Sequence, residues 1–183
     1  MHMNSYKFYY FIDTLDVKIL NKIKKNIIII YRNYYQDPVN EEIIKFKIYC
    51  QKNKIKFLIS NNIKIVQNLK LDGIYIPAFN KKMLNYRNIL PLNKLIIGSA
   101  HNINEIKIKE FQGVSNIFLS PIFKTSKNKK FLDIIKFNNL SKLTFKPVVA
   151  LGGINKGNYK KIKMTDATGL AGITNILDVL KNA

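Results

Sequence analysis

Short apolar runs alternate along the chain with longer segments in which lysine, asparagine and apolar residues are interspersed. The runs are rich in Ile, Val, Phe and Tyr, and continuous apolar runs of this kind are typical of strands buried on both faces of a parallel sheet. We predict eight strands, at residues 6–12, 27–31, 56–59, 73–76, 94–97, 115–119, 147–151 and within 167–172.

The segments between these strands carry helical signals. Pro38 followed by Glu41 and Glu42 is typical of a first helical turn, and we expect Asn102 to cap a helix that ends before Gly113. The predicted helices lie at residues 17–25, 38–53, 63–69, 81–86, 103–111, 131–140 and 173–180.

The order of these elements predicts the fold class. Strict alternation of strand and helix is typical of α/β proteins with a parallel sheet, and eight units favour closure into a (β/α)8 TIM barrel. The sequence shows no linker and no low-complexity tail, so we expect residues 1–183 to form a single compact barrel domain.

Two of the predicted strands lead into glycine-rich turns. Glycines let main-chain N–H groups approach a ligand closely, and a following helix N-terminus adds partial positive charge. TIM barrels build their phosphate sites from the loops after strands seven and eight, so we predict phosphate binding there, with two ordinary tight turns as the alternative. The predicted phosphate-binding residues are Gly152, Gly153, Gly169, Leu170, Ala171 and Gly172.

The charge is strongly positive, with 31 basic and 11 acidic residues and a net charge of +20. The lysines are spread along the whole chain and spaced by apolar residues, which is typical of solvated helix faces. We therefore expect no nucleic-acid partner, and favour a general attraction for phosphorylated small molecules. The protein could act as a monomer or as a homo-oligomer.

Other features of the sequence indicate the cellular compartment and limit the possible chemistry. The single cysteine, Cys50, argues against an internal disulfide framework and fits a reducing cytosol. No apolar run is long enough to span a membrane, and the N-terminus lacks an export pattern, so we expect a cytoplasmic protein. Asp13 is the one carboxylate at the predicted strand ends, so we expect neither a metal site nor a cofactor.

Three kinds of side chain at the strand ends could act on a ligand. His101 follows the predicted fifth strand and suits proton transfer near neutral pH, with a capping or packed histidine as the alternative. Arg32 follows the second strand as an anion clamp or a surface arginine. Lys127 and Lys129 lie in the loop after strand six, where they either attract anions or are solvated charges.

Several segments resemble thiamine-phosphate synthases and their relatives, the thiazole tautomerases. Pro-Val-Val-Ala-Leu-Gly-Gly-Ile-Asn at 147–155 is very similar to the family's strand-seven motif, and Ser-Pro-Ile-Phe-Lys-Thr at 120–125 resembles its strand-six loop. Segments 98–101, 72–76 and 167–171 resemble its fifth, fourth and eighth strands. The resemblance spans nearly the whole chain and implies a TIM barrel, a phosphate site and an enzyme of thiamine biosynthesis.

The resemblance implies two possible reactions. The synthase joins a pyrimidine diphosphate to a thiazole phosphate with magnesium on the diphosphate, and its two magnesium aspartates fall here on Asn61 and Asn80. Of the Gln, Arg and Lys on its second strand, only the arginine is kept, as Arg32, and the lysine falls on Tyr34. The tautomerase needs no metal and uses a histidine where His101 stands.

These departures favour a metal-independent, tautomerase-like enzyme that acts on a thiazole phosphate with His101 as its catalytic residue. A thiamine-phosphate synthase and a non-catalytic binder of thiamine or thiazole phosphate are the alternatives. The predicted substrate-binding residues are Arg32, Asn61, Asn80, Ser99, Pro121, Thr125 and Lys127.

Overall fold

The computed structural model of the protein describes residues 6–16, 27–35, 40–126, 130–173 and 176–181. Within them, eight parallel strands pair in chain order and the eighth pairs with the first, so the sheet closes into a barrel as predicted. The strands are β1 (Lys7–Ile12), β2 (Ile27–Tyr31), β3 (Lys56–Ser60), β4 (Gly73–Ile76), β5 (Leu95–Ala100), β6 (Asn116–Leu119), β7 (Val148–Leu151) and β8 (Gly169–Gly172).

Five α-helices accompany the strands in the described part of the chain. The predicted helix at 17–25 and Pro38 lie outside the described residues. The helices are α1 (Asn40–Lys52), α2 (Ile63–Asn68), α3 (Ile103–Phe111), α4 (Asp133–Ser141) and α5 (Ile176–Lys181).

Alternate strand residues point into the barrel or out toward the helices, as strand geometry requires. The interior is unusually aromatic: the rings of Tyr9 and Phe118 lie 4.8 Å apart, those of Phe11 and Tyr75 lie 4.9 Å apart, and each pair packs edge to face. These four rings fill the barrel with apolar surface beneath the carboxyl ends of its strands.

The predicted start of α3 is confirmed. The Asn102 side chain accepts a hydrogen bond from Glu105 N–H at 3.0 Å, and the Glu105 carboxylate accepts the main-chain N–H of His101 at 2.7 Å. This reciprocal pair satisfies two donors at the helix N-terminus, in the manner of a capping box. Gly113, with φ at +76°, follows the end of the helix.

Strand β5 is longer than the sequence predicted. The prediction ends it at Ile97, before Gly98, but Gly98 lies inside the strand. Its missing side chain makes room for a helix residue, because a Cβ there would stand 2.8 Å from Cδ of Lys109. His101 consequently follows the strand directly, at the carboxyl end of the barrel.

Other helix predictions were wrong in type or extent. The segment 81–86 is irregular and leads into a 3-10 turn at Tyr86–Asn88, and the segment after β7 forms a 3-10 helix at Tyr159–Met164. Ile173, the predicted start of the last helix, lies in a bend, and the described part of that helix is Ile176–Lys181. None of the helices in the described ranges is long and apolar enough to cross a membrane.

Candidate active site

A cavity of about 610 Å³ opens at the carboxyl ends of the strands, the end at which TIM barrels carry their active sites. Its wall is made by residues in or after β2, β4, β5, β6 and β7, and by the first turn of α3. The lining residues are Arg32, Tyr34, Tyr75, Pro77, Ala78, Phe79, Lys81, Ser99, His101, Glu105, Ser120 and Leu151. Three predicted site residues, Arg32, Ser99 and His101, are therefore brought together in one cavity.

The His101 ring is held by the loop after β6. Its Nδ1 lies 2.6 Å from the main-chain oxygen of Ser120 and 3.3 Å from the Ser120 hydroxyl. A carbonyl oxygen can only accept a hydrogen bond, so Nδ1 carries the proton in this contact. In the neutral ring the other nitrogen, Nε2, is then an unprotonated base, and the hydrogen bond fixes the ring that carries it into the wall of the cavity.

Arg32 lies against two aromatic rings. Its guanidinium carbon lies 4.8 Å from the Phe11 ring centroid and 5.9 Å from that of Tyr34. Among the residues that the structure describes, no carboxylate forms an ion pair with it. The stacked faces leave the edge of the guanidinium, with its N–H donors, suited to an anionic ligand.

Tyr34 and Phe79 form a ring pair at the cavity wall that the sequence did not point out. Their centroids lie 5.4 Å apart in an edge-to-face arrangement, and more than half of Phe79 is exposed. The Tyr34 hydroxyl lies 3.2 Å from the Ser60 hydroxyl. Each of these aromatic residues comes shortly after a predicted strand, which is the signal that could have identified them.

Tyr75 and Ser99 join neighbouring strands at the floor of the cavity. The Tyr75 hydroxyl donates to the Ser99 hydroxyl at 2.8 Å, and both side chains are buried. Burial raises the pKa of Tyr75 to about 12, although the hydrogen bond with Ser99 acts in the opposite direction. Tyr75 therefore stays neutral near pH 7 and serves as a hydrogen-bonding group, not as a base.

Asn61 and Asn80 contact each other and do not line the cavity. Asn80 Nδ2 donates to Asn61 Oδ1 at 2.6 Å and to the Tyr86 hydroxyl at 3.1 Å, and Asn80 Oδ1 accepts Lys82 N–H at 3.0 Å. The buried Asn80 amide thus uses both its donors and its acceptor within the protein.

This pair does not fit a magnesium ion. Magnesium in proteins favours oxygen ligands that include carboxylates, and here one amide NH2 group points at the oxygen of the other. Across the described ranges no three His, Cys, Asp or Glu side chains cluster as a metal site would require. The donor set that the resemblance assigns to magnesium is therefore absent at these two positions.

The two glycines after β7 are required by packing. Gly152 and Gly153 have φ values of +95° and +72°, which favour glycine. A Cβ on Gly152 would stand 2.9 Å from Cβ of Pro121, and one on Gly153 would clash with main-chain oxygens of Phe123 and Lys124. The β6 loop lies against this turn, and Ile122 N–H donates to Leu151 O at 2.9 Å.

The interpretation of Gly169 as a strand-end glycine was wrong. Gly169 begins β8 and pairs with Lys7 at the start of β1, so it lies at the end of the barrel opposite to the cavity. Leu170 and Ala171 are buried within the strand. Only Gly172 stands at its carboxyl end, where it pairs with Tyr10.

The remaining predicted residues lie in or beside the β6 loop. Pro121 packs beneath Gly152, as described above, and Thr125 lies further along the same loop; neither lines the cavity. Lys127 and Lys129 lie outside the described residues.

Comparison with known proteins supplies the family. A model of the thiamine monophosphate synthase family matches residues 14–176. The chain belongs to this family. It is 33% identical over 124 residues to a thiamine-phosphate synthase of Methanococcus vannielii, and 33% identical over 132 residues to one of Pelagibacter ubique. These alignments cover 66% and 69% of the chain, but only 59% and 62% of the relatives' own length.

The fold agrees with this assignment. A thiamine phosphate pyrophosphorylase from Pyrococcus furiosus superposes with a TM-score of 0.73 over 93% of this chain and 86% of its own. The two sequences are 19% identical, so this likeness concerns the fold alone.

Proposed function

We propose that the chain is a thiamine-biosynthesis enzyme that acts on a thiazole phosphate by proton transfer, without a metal ion. The observation that carries the proposal is the hydrogen bond from His101 Nδ1 to Ser120 O, which leaves Nε2 as a base in the cavity wall. A histidine fixed in one tautomer can take a proton from one atom of a bound ring and return it to another.

A phosphate group would be bound at the carboxyl ends of β7 and β8. The turn at Gly152 and Gly153 and the last residue of β8, Gly172, support this, since both lie at carboxyl ends of strands, at the end of the barrel where the cavity opens. The guanidinium of Arg32 offers a second anion-binding group across the cavity. Ser99 and the Tyr34–Phe79 ring pair would contact the heterocycle between them.

A synthase is the second candidate, because the curated relatives carry the name thiamine-phosphate synthase. That reaction would require the diphosphate of a pyrimidine substrate to be neutralised. The amide pair of Asn61 and Asn80 argues against a magnesium ion in that role, and Tyr34 adds no positive charge.

One experiment separates the candidates. The purified protein is incubated with a thiazole phosphate tautomer alone, and separately with both synthase substrates, each with and without magnesium. We expect interconversion of the thiazole tautomers that is independent of magnesium, and no thiamine phosphate. Magnesium-dependent formation of thiamine phosphate and free diphosphate would establish the synthase, and firm binding without either reaction would indicate a binding protein.

Two broader proposals accompany this function. We propose a reducing, cytoplasmic location, supported by the free and buried thiol of Cys50. We also propose a phosphorylated small molecule as the main partner, since the charge is distributed along the chain and a cavity of small-molecule size lies at the strand ends.

A further inference from the structure

Lys109 on α3 is a fully buried cation outside the cavity. Its ammonium donates hydrogen bonds to Pro77 O at 2.9 Å, to Asn80 O at 2.7 Å and to Gln112 Oε1 at 2.9 Å. An ammonium has three donors, so every proton has an oxygen acceptor, which is the condition under which a protein tolerates a buried charge. Burial lowers the pKa of Lys109 to about 8, and the charge of Glu105 opposes this shift.

Gln112 adds further hydrogen bonds to the loop at residues 77–82. Its Nε2 donates to Asn80 O at 3.1 Å and to Lys82 O at 2.8 Å, and its main-chain oxygen accepts Tyr86 N–H at 3.0 Å. The end of α3 therefore binds the loop at residues 77–82 through main-chain oxygens, which needs no particular side chains on the loop. The loop residues that line the cavity are Pro77, Ala78, Phe79 and Lys81.

We propose that Lys109 is a tethered cation that positions the 77–82 loop for ligand binding, in place of a bound metal ion. Two loop carbonyls and a side-chain amide oxygen converge on its ammonium, as oxygen ligands converge on a cation. The same loop carries Asn80, whose side chain then holds Asn61. The proposal rests on the metal-independent function above, because an ion bound to this loop would make a second cation unnecessary.

The test is a fluorescent reporter on the loop. The chain contains no tryptophan, so Phe79→Trp introduces a single one at an exposed position of the cavity wall. Lys109→Met in this background removes the ammonium but keeps the length of the side chain. Pro77 O still accepts Asn80 N–H at 3.1 Å, and Asn80 O still accepts Gln112 Nε2, so both loop carbonyls keep a partner. Gln112 Oε1 loses its bond to the ammonium, so the loss is limited to one buried acceptor and the fold should survive.

We expect the acrylamide quenching constant of the introduced tryptophan to rise severalfold in Lys109→Met, measured well below the thermal midpoint of that variant. A residue that only stabilises the fold would lower the thermal midpoint and leave the quenching constant of the folded protein unchanged. Lys107→Met, on the exposed face of the same helix, is the matched control and should change neither.

Gln112→Met is a second perturbation of the same contact, because it removes the acceptor of one ammonium proton and the two Nε2 bonds to the loop. It should also raise the quenching constant, and it decides the question if Lys109→Met does not fold. Unchanged quenching in a folded Lys109→Met, or in Gln112→Met when that variant alone folds, overturns the proposal. The measurement uses no substrate, so its failure is distinguishable from a failure of the proposed reaction.

Discussion

A single hydrogen bond decides which nitrogen of neutral His101 carries the proton. Ser120 is held in place by the β5–β6 pairing, where its N–H donates to Ala100 O at 3.2 Å, and its carbonyl in turn holds Nδ1 of the histidine. The orienting group is main-chain, so the tautomer depends on the loop's conformation and not on the serine side chain. The position of the histidine at the cavity was predictable from the sequence, whereas its partner was not, because a main-chain acceptor leaves no residue-type signal.

This arrangement makes a prediction for two neighbouring residues. His101→Asn should lower turnover of the thiazole substrate by about 10²–10⁴, the usual contribution of general acid–base catalysis, and leave ligand affinity nearly unchanged. Ser120→Ala should lower turnover far less, because the main-chain carbonyl of residue 120, 2.6 Å from His101 Nδ1, remains. Steady-state turnover and calorimetric affinity of both variants provide the check, and equal turnover in His101→Asn and wild type would move the chemistry elsewhere.

The asparagine pair makes an asymmetric prediction. Asn80→Asp replaces a donor with an anionic acceptor facing Asn61 Oδ1, and should lower the free energy of unfolding by about 1–3 kcal/mol at pH 7. Asn61→Asp keeps an acceptor for Asn80 Nδ2 and lies at an exposed position, so its cost should be small. Urea unfolding of both variants tests this, and equal losses would contradict the assigned direction of the hydrogen bond.

At the scale of elements, the β6 and β7 loops form one unit. Ile122 N–H donates to Leu151 O and Phe123 N–H donates to Gly152 O, so the end of β7 continues its pairing with the chain that follows β6. The glycine pair was recognisable in the sequence, but the reason for it was only partly predicted. Close approach to a ligand was expected; close approach of a neighbouring loop is what the structure shows.

Substitution of these glycines should therefore cost stability before it affects binding. Gly153→Ala combines a left-handed backbone, which costs roughly 1–2 kcal/mol for a residue with a Cβ, with a clash against Phe123 O. Gly157→Ala is the matched control, since its nearest neighbour would be Asn155 Oδ1 at 3.3 Å. Thermal unfolding should separate the two variants clearly, and similar midpoints would mean that the turn relaxes freely.

The elements also show why some predictions from the sequence were wrong. Apolar runs gave β2 and β4 with the right bounds, because both are continuous and end at a polar residue or a proline. Glycines gave the wrong ends at β5 and β8, because Gly98 makes room for Lys109 and Gly169 begins its strand beside Lys7. A glycine in a sequence can indicate that another group packs closely against the main chain, but only the fold shows which group that is.

For the whole molecule, the basic charge is spread over a closed barrel with few compensating pairs. In the described ranges a single salt bridge occurs, between Lys107 and Glu110 at 2.9 Å. The net charge of +20 therefore acts mainly as a general field that attracts anions and that salt weakens. Composition alone predicted this field, but it could not reveal that one lysine, Lys109, is buried and fully hydrogen-bonded.

Buried titratable groups give the molecule a predictable response to alkaline pH. Burial raises the pKa of the Cys50 thiol from 9.0 to about 12, and Asp72 adds to the shift. The unfolded thiol loses its proton first, so its stabilising contribution is complete below pH 9 and is lost as the pH rises toward 12. Lys109 acts in the opposite direction, since its pKa is lowered from 10.5 to about 8 and its contribution rises with pH between those values.

Cys50→Ala isolates the first of these effects. Lys109 and the buried tyrosines are common to both proteins, so the difference between the variant and wild type reports on the thiol alone. Wild type should lose up to about 1.4 kcal/mol more unfolding free energy per pH unit above pH 9 than Cys50→Ala does, because each unit of pKa shift corresponds to that amount. Urea unfolding of both proteins at pH 7.5, 9 and 10.5 measures the two slopes. Parallel slopes would mean that the thiol is already solvated in the folded state.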